Sequence, residues 1–468
     1  MNAVLRSDKE AISAILQQVG RLADEHFHPT ELAPPSRYVP DDAFADLPAE
    51  GWGALDVLVQ FRERYAPRMA NSAGPRYFGF VTGGSTPASL AGDWLVSVYD
   101  QVMSGSTDSV AHFLERQTLH FLKQLFGLDT AYTGTFVTGA TMSNFVSLAS
   151  ARQWIGEQQG INLSEDGLYG MAPMRVLSAT PHSSILKSLS MLGMGRKSWV
   201  KVDTLPGREA IDLQALEAAL AREQGPVVVV ANAGTVNTVD FDDMEAIGAL
   251  KQKYNFWLHV DAAFGGFAAC SPQHQHLMRG INLADSVTID AHKWLNVPYD
   301  AAMQFTRHKS IQVKVFQNQA AYLGDPALMP DSMHVTPENS RRFRALPSWF
   351  TLLAYGRNGY REIVERNCAV AHGLGERLEH SEEFRLLAPV RMNIVCFSFR
   401  HSTTLEEIRT FLDAVRDDGR VFFTPTVYKG TPAIRAAISN WQTGEADGKL
   451  AFEVLQAVYR AYALKISV

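Results

Sequence analysis

The sequence predicts an α/β protein with a large, doubly wound, mainly parallel sheet domain, a smaller C-terminal α+β domain and an N-terminal helical arm. Three observations lead there. Between residues 75 and 348, short runs of β-branched and aromatic residues alternate with stretches of helical period, the pattern of repeated βα units. The segment before it, 1–74, is punctuated by proline and cannot build a core of its own. The segment after it, 349–468, mixes helical and strand-like runs without the βα alternation.

Taken in order, Ser7 with Glu10 predicts a capping box for a first helix, and Pro29, Pro34, Pro35, Pro40 and Pro48 break up the rest of the arm. Strands are expected at 134–138, 175–179, 227–231, 256–261 and 286–290, each an apolar run closed by polar or glycine-containing residues. The final section predicts a helix at 352–365, a strand at 391–400 and a helix at 446–464. No internal repeat or low-complexity tract interrupts the pattern.

Composition narrows the function. The 468 residues are 46% hydrophobic and 20% charged, ordinary globular values that argue against disorder. The net charge of −6 comes without a long basic run, which argues against a nucleic-acid surface and for a small-molecule partner. Three widely spaced cysteines, Cys270, Cys368 and Cys396, suit neither a disulfide framework nor a structural zinc site, so no metal is expected and a reducing cytoplasm is. With charged residues near its start and no uncharged run of about 18 residues, the chain is expected to be neither exported nor membrane-bound.

The chemistry concentrates at strand ends. Ser286-Val287-Thr288-Ile289-Asp290-Ala291-His292-Lys293-Trp294-Leu295 is a β-branched strand running into a His-Lys pair. The C-terminal edge of an α/β sheet is where such folds place their sites, which makes Lys293 a candidate covalent anchor. Upstream, Phe256-Trp257-Leu258-His259-Val260-Asp261-Ala262-Ala263 ends a buried strand in an acid. A carboxylate there is costly to desolvate unless it meets a cation, and the protonated ring nitrogen of pyridoxal phosphate is one.

Further turns add weaker signals. Thr135-Phe136-Val137-Thr138-Gly139-Ala140-Thr141-Met142-Ser143-Asn144 passes from strand into a long helix. Its N-terminal N–H groups and the Thr141 hydroxyl make a cradle for a phosphate, or else a tight turn that needs small residues for packing. His182 follows another strand and is a flat ring for stacking and proton exchange, or a cap or core residue. Thr235 closes the four-valine strand with a hydroxyl, or is simply a turn residue.

The order Thr141, His182, Thr235, Asp261, Lys293 and the residues flanking them resemble the group II pyridoxal-phosphate-dependent decarboxylases, the fold type I family of aromatic-L-amino-acid, glutamate and histidine decarboxylases. The most specific pieces are His259-Val260-Asp261-Ala262-Ala263 and Asp290-Ala291-His292-Lys293-Trp294, and the likeness runs from Gly74-Pro75-Arg76-Tyr77-Phe78 to Arg342-Phe343-Arg344 and weakly beyond. The resemblance implies pyridoxal 5′-phosphate attached to Lys293, with His182 stacked on the ring, Asp261 on the ring nitrogen and Ala263 beneath the ring. It also implies that Ala140, Thr141 and His292 hold the phosphate and that Thr235 lies near the ring's 3-oxygen. The implied reaction is decarboxylation of an L-amino acid in a homodimer.

Two positions depart from the family pattern. Asp290 puts an acid beside the phosphate site, a repulsive arrangement unless offset. The loop between Leu323 and Arg342, where the family usually carries a proton-donating tyrosine, has none. His334 is the expected substitute, with Ser332 next. Phe80, Val81 and Thr82 are the expected substrate contacts, a mostly apolar set that favours an aromatic side chain. Loss of the loop tyrosine keeps an aldehyde synthase in view. An aminotransferase would clamp the substrate carboxylate with Arg435, which is otherwise expected to be structural. A catalytically silent pyridoxal-phosphate protein is the remaining alternative.

Overall fold

Runs of buried β-branched residues become the middle of a seven-stranded sheet, made of β1 (Thr133–Val137), β2 (Val176–Ser178), β3 (Trp199–Lys201), β4 (Val227–Asn232), β5 (Phe256–Asp261), β6 (Ser286–Asp290) and β7 (Ala302–Thr306). Across the sheet the order is β1-β7-β6-β5-β4-β2-β3. The structure, a computed structural model, describes residues 1–28, 33–36, 38–39, 43–103, 109–318 and 332–466. No helix among the described residues is long and apolar enough to cross a membrane.

The valines of β4 show why both faces are covered. Val229 and Ala231 enter one apolar cluster with Leu258 and Val260 of β5, whereas Val228 and Val230 enter another with Trp257 and with Leu148 and Ile155 of the Ala140–Gln158 helix. Alternate side chains of one strand therefore feed two cores, as a doubly wound sheet requires. The mainly parallel sheet expected from sequence is present, with one exception. β7 runs antiparallel between β1 and β6, so β1 joins the sheet through a strand that the βα pattern did not reveal.

The C-terminal part forms a second, antiparallel sheet of β8 (Phe384–Leu386), β9 (Ile394–Phe399), β10 (Thr424–Tyr428) and β11 (Thr431–Ala437), in the order β10-β11-β9-β8. The helical run expected at 352–365 belongs to a longer element, Ala345–Glu379, kinked where Gly356 adopts φ 60°. Residues just past the arm pack onto the small sheet. Phe78 donates its N–H to Phe422 and accepts from Ala437 N, and its ring joins the core of the small sheet.

The expected capping box is not formed. The first helix, Ala3–Glu10, starts earlier than predicted and is capped by Asn2, whose side chain accepts from Val4 N. Ser7 and Glu10 lie inside it, because a capping carboxamide was available one turn upstream. The helices Ala3–Glu10, Ile12–Phe27 and Ala54–Gln60 have no buried residue.

Candidate active site

The C-terminal ends of β2, β4, β5 and β6 and the start of the Ala140–Gln158 helix enclose a cavity of about 410 Å³, a size usual for small-molecule sites. The parallel register aligns Asn232 with Asp261, and Asp261 with Thr288 just before Asp290, so the ends of three strands meet at one level. Ala140, Thr141, His182 and Thr235 line the cavity, as do Asp261, Ala263, His292 and Lys293. Phe80 and Val81 form part of its wall. Thr82 does not reach it; the residue is buried, and its carbonyl accepts from Ser439 Oγ at 3.0 Å.

Lys293 sits in a single helical turn, Ala291–Trp294, directly after β6. Its Nζ lies 2.7 Å from Asp290 Oδ2 and 5.8 Å over the Phe264 ring. Asp290 Oδ1 accepts the N–H of Ala140, the first residue of the Ala140–Gln158 helix, at 2.6 Å. The acid that stands out in the sequence is thus offset by a cation and a helix N-terminus. The lysine turn is braced from both sides by Asn296, whose Nδ2 donates to Gly83 O at 2.7 Å and to Ser439 O at 2.8 Å.

His182 is the N-cap of the Ser183–Met191 helix, with Nδ1 accepting from Ser184 N at 3.3 Å. A backbone N–H can only donate, so the neutral ring carries its proton on Nε2. Burial pulls its pKa below the usual histidine value, partly countered by Asp261, and the ring is neutral at pH 7. His292 repeats this logic, since Nδ1 accepts from Ala301 N at 3.2 Å and burial again lowers the pKa. Asp261 accepts from Asn144 Nδ2 at 3.0 Å and from Ala263 N at 3.2 Å. Thr235 gives its hydroxyl proton to Glu209 at 2.5 Å and accepts from Asp240 N at 2.9 Å, so it has no proton to offer the cavity.

Several contributors escaped sequence reasoning. Tyr299 and Phe264 extend the aromatic wall, and Tyr299 packs its ring on His292 at 4.4 Å. The only sequence signal for Tyr299 was an aromatic at a proline turn close to Lys293. Glu209, the anchor of Thr235, lies far from any motif. Arg435, expected to be structural, also lines the cavity. It is 9% exposed, its Nη1 donates to Val236 O at 3.1 Å, its Nε has no hydrogen-bond partner, and among the described residues it forms no ion pair.

His334 is placed elsewhere. It is buried in a short turn, its Nδ1 accepts from Asn318 N at 3.1 Å, and it is not part of the cavity wall. Ser332 donates to the Met103 carbonyl and is likewise remote. Their burial against the Lys309–Phe316 helix replaces the exposed loop position that their sequence context suggested. The preceding loop residues, 324–331, lie outside the described residues.

The donor set fits the group that the resemblance implies. A lysine amine, an acid for a ring nitrogen, a neutral imidazole and a helix N-terminus surround one cavity that admits a flat aromatic phosphate ester. A family model described as the pyridoxal-dependent decarboxylase conserved domain matches residues 39–400. The aromatic-L-amino-acid decarboxylase of Sus scrofa is 26% identical over 434 residues, covering 88% of this chain and 88% of that protein. The crystal structure of Oryza sativa TDC with PLP and tryptamine matches with a TM-score of 0.89 at 22% identity, over 99% of both chains. That of mouse CSAD matches with a TM-score of 0.87 at 23% identity, over 96% of this chain and 99% of that one. At these identities the two structures establish a common fold.

Proposed function

The chain belongs to the pyridoxal-dependent decarboxylase family, and on that premise we propose that Lys293, Asp261 and His182 are the working centre of a decarboxylase acting on an aromatic L-amino acid. The protein is a carboxy-lyase of L-amino acids, and its cofactor is pyridoxal 5′-phosphate. When bound, the cofactor supplies an electron sink for the bond to the departing carboxyl group. The observation that carries the residue assignment is the convergence of these side chains on one cavity at the strand ends.

Lys293 Nζ is the attachment point, held in place by Asp290 until it reacts. With the cofactor bound, Asp261 would pair with the ring nitrogen and His182 would stack on the ring. Thr141, His292 and the N–H groups that follow Ala140 at the start of the Ala140–Gln158 helix would take the phosphate, the N–H of Ala140 itself being given to Asp290, and Thr235 would border the 3-oxygen. Phe80, Val81, Phe264 and Tyr299 give the substrate pocket an aromatic character. In place of His334, Tyr299, a residue of the cavity wall, would supply the proton that the product carbon needs.

Arg435 favours a second reading. A cavity-lining guanidinium without an ion-pair partner suits an anionic ligand group, and a clamped α-carboxylate is the arrangement of an aminotransferase. The experiment is to incubate the cofactor-loaded protein with single L-amino acids and quantify CO2, amine, aldehyde and keto acid. CO2 with matching amine from an aromatic substrate supports the first reading. Keto acid without CO2 establishes transamination, and aldehyde with ammonia an oxidative outcome. Lys293→Ala should abolish both the visible absorbance and turnover.

A homodimer and a cytoplasmic location complete the proposal. Leu5, Ile12, Leu16 and Val57 are exposed on arm helices that have no buried residue, an apolar surface that a second copy would cover. The three cysteines are all unpaired, which supports a reducing compartment. Sedimentation of the loaded protein as an active monomer would rule out the dimer.

A further inference from the structure

Behind the cavity, a line of buried polar groups runs along the face of β5 that carries Asp261, and every donor in it points one way. Trp257, His259 and Asp261 share that face because strand side chains alternate. The Trp257 indole, which can only donate, reaches Ser286 Oγ at 2.9 Å. Ser286 Oγ lies 2.9 Å from His259 Nδ1 and can give it the hydroxyl proton, a direction set by Asn144, whose carbonyl end faces His259 Nε2 while its NH2 end faces the Asp261 carboxylate. With Nδ1 accepting, the imidazole proton sits on Nε2 and is donated to Asn144 Oδ1 at 2.9 Å. The Asn144 amide nitrogen then donates to Asp261 Oδ2 and to Ser184 Oγ, each at 3.0 Å. Ser184 Oγ lies 2.7 Å from His182 Nδ1.

Trp257, Ser286, His259 and Asn144 are all fully buried, so the line has no contact with bulk water. Burial pushes the His259 imidazole down to about 4, and it stays neutral as this donor pattern requires. Both ends of the line matter to the cavity, because the Asp261 carboxylate and the His182 ring hang from the same carboxamide. None of these links is visible from the cavity side, where Asn144 and His259 do not reach the wall.

We propose that His259 is a positioning residue of the active site: its Nε2–H locks the Asn144 carboxamide, which aims the Asp261 carboxylate directly and the His182 imidazole through Ser184. This rests on the reading that Asp261 faces the ring nitrogen of the cofactor. Without a donor at position 259 the amide is free to rotate, and a reversed amide turns its oxygen toward the Asp261 carboxylate, a repulsive contact in a dry interior. A histidine that merely filled space would be replaced by an apolar residue without consequence for the ring nitrogen.

The test is binding of pyridoxal 5′-phosphate and of its 1-deaza analogue, in which C–H replaces the ring nitrogen, to the cofactor-free protein, read by tryptophan quenching. The natural chain should prefer pyridoxal phosphate. His259→Leu should weaken that ligand about tenfold or more, the worth of one charge-assisted hydrogen bond, while leaving the analogue unchanged. His259→Gln, which retains an N–H for Asn144, should recover most of the loss. Equal weakening of both ligands by His259→Leu, with the preference intact in the natural chain, overturns the relay alone. Absence of any preference in the natural chain removes the Asp261 reading and the proposal with it. If His259→Leu does not fold, nitrogen-15 NMR of the unmodified apo protein decides: a neutral His259 protonated on Nε2 supports the relay, and an Nδ1–H tautomer or an imidazolium overturns it.

Discussion

Replacing Arg435 by methionine separates a structural arginine from one kept for a ligand. The guanidinium is 9% exposed, makes one hydrogen bond, to Val236 O at 3.1 Å, and leaves Nε unpartnered. Burial accordingly lowers its pKa from the usual arginine value. Replacing buried charged groups by apolar side chains of similar volume is neutral or stabilising by up to about 4 kcal/mol. The orphaned Val236 carbonyl costs about 1–3 kcal/mol in return. The two terms are of similar size, so the cofactor-free Arg435→Met protein should keep its stability within about 1 kcal/mol, read as its thermal midpoint. Substrate binding should suffer, because a hydrogen bond from a charged donor is worth about 1.5–3 kcal/mol, so KM rises on the order of 10- to 100-fold. A contact to an anionic substrate group held alike in the ground and transition states is uniform binding, so kcat should change far less than KM. A variant that loses more than about 1 kcal/mol of stability while keeping KM within about twofold would refute this reasoning.

Two further outcomes follow from the same structure. His259, neutral with a folded-state value of about 4, contributes stability that is complete above its unfolded value near 6.5 and is lost as pH falls toward 4, on the order of 3 kcal/mol. Asp242, pushed up to about 6 by burial, acts in the opposite sense over much of that range, so the diagnostic is the difference between the natural chain and His259→Gln in urea unfolding at pH 7 and pH 4.5; parallel curves would contradict it. At Gly83 a Cβ would lie 1.7 Å from the Lys293 carbonyl and 2.3 Å from Asn296 Nδ2, so Gly83→Ala should cost about 2 kcal/mol or more and displace the lysine turn. Both the thermal midpoint and the cofactor absorbance of this variant should fall, and unchanged values of both would show that the segment is not tightly packed there.

How far the sequence could be read depends on where each signal resides. The expected strands 256–261 and 286–290 coincide with β5 and β6, and the four valines seeded β4. Their signal is local, a run of β-branched side chains buried on both faces. β7 escaped because Ala302-Met303-Gln304-Phe305-Thr306 follows β6 without a crossover helix, and its antiparallel place depends on partners rather than on its own composition. The arm cap shifted to Asn2 because one side chain sufficed there. His334 looked exposed in a polar loop, and burial against a distant helix is a fact of packing.

The sequence by itself determined the class of fold, the strand-end order of Thr141, His182, Thr235, Asp261 and Lys293, and through them the family, because each rests on a short segment whose preference is set by its own residues. Only the tertiary structure decided which groups meet. The ion pair of Asp290 with Lys293, the grip of Glu209 on Thr235, the unpaired Arg435 at the cavity and the line from Trp257 to Asp261 all join residues from separate elements or opposite edges of a turn. Hydrogen bonds and ion pairs act over a few ångströms, and such proximity is created by folding.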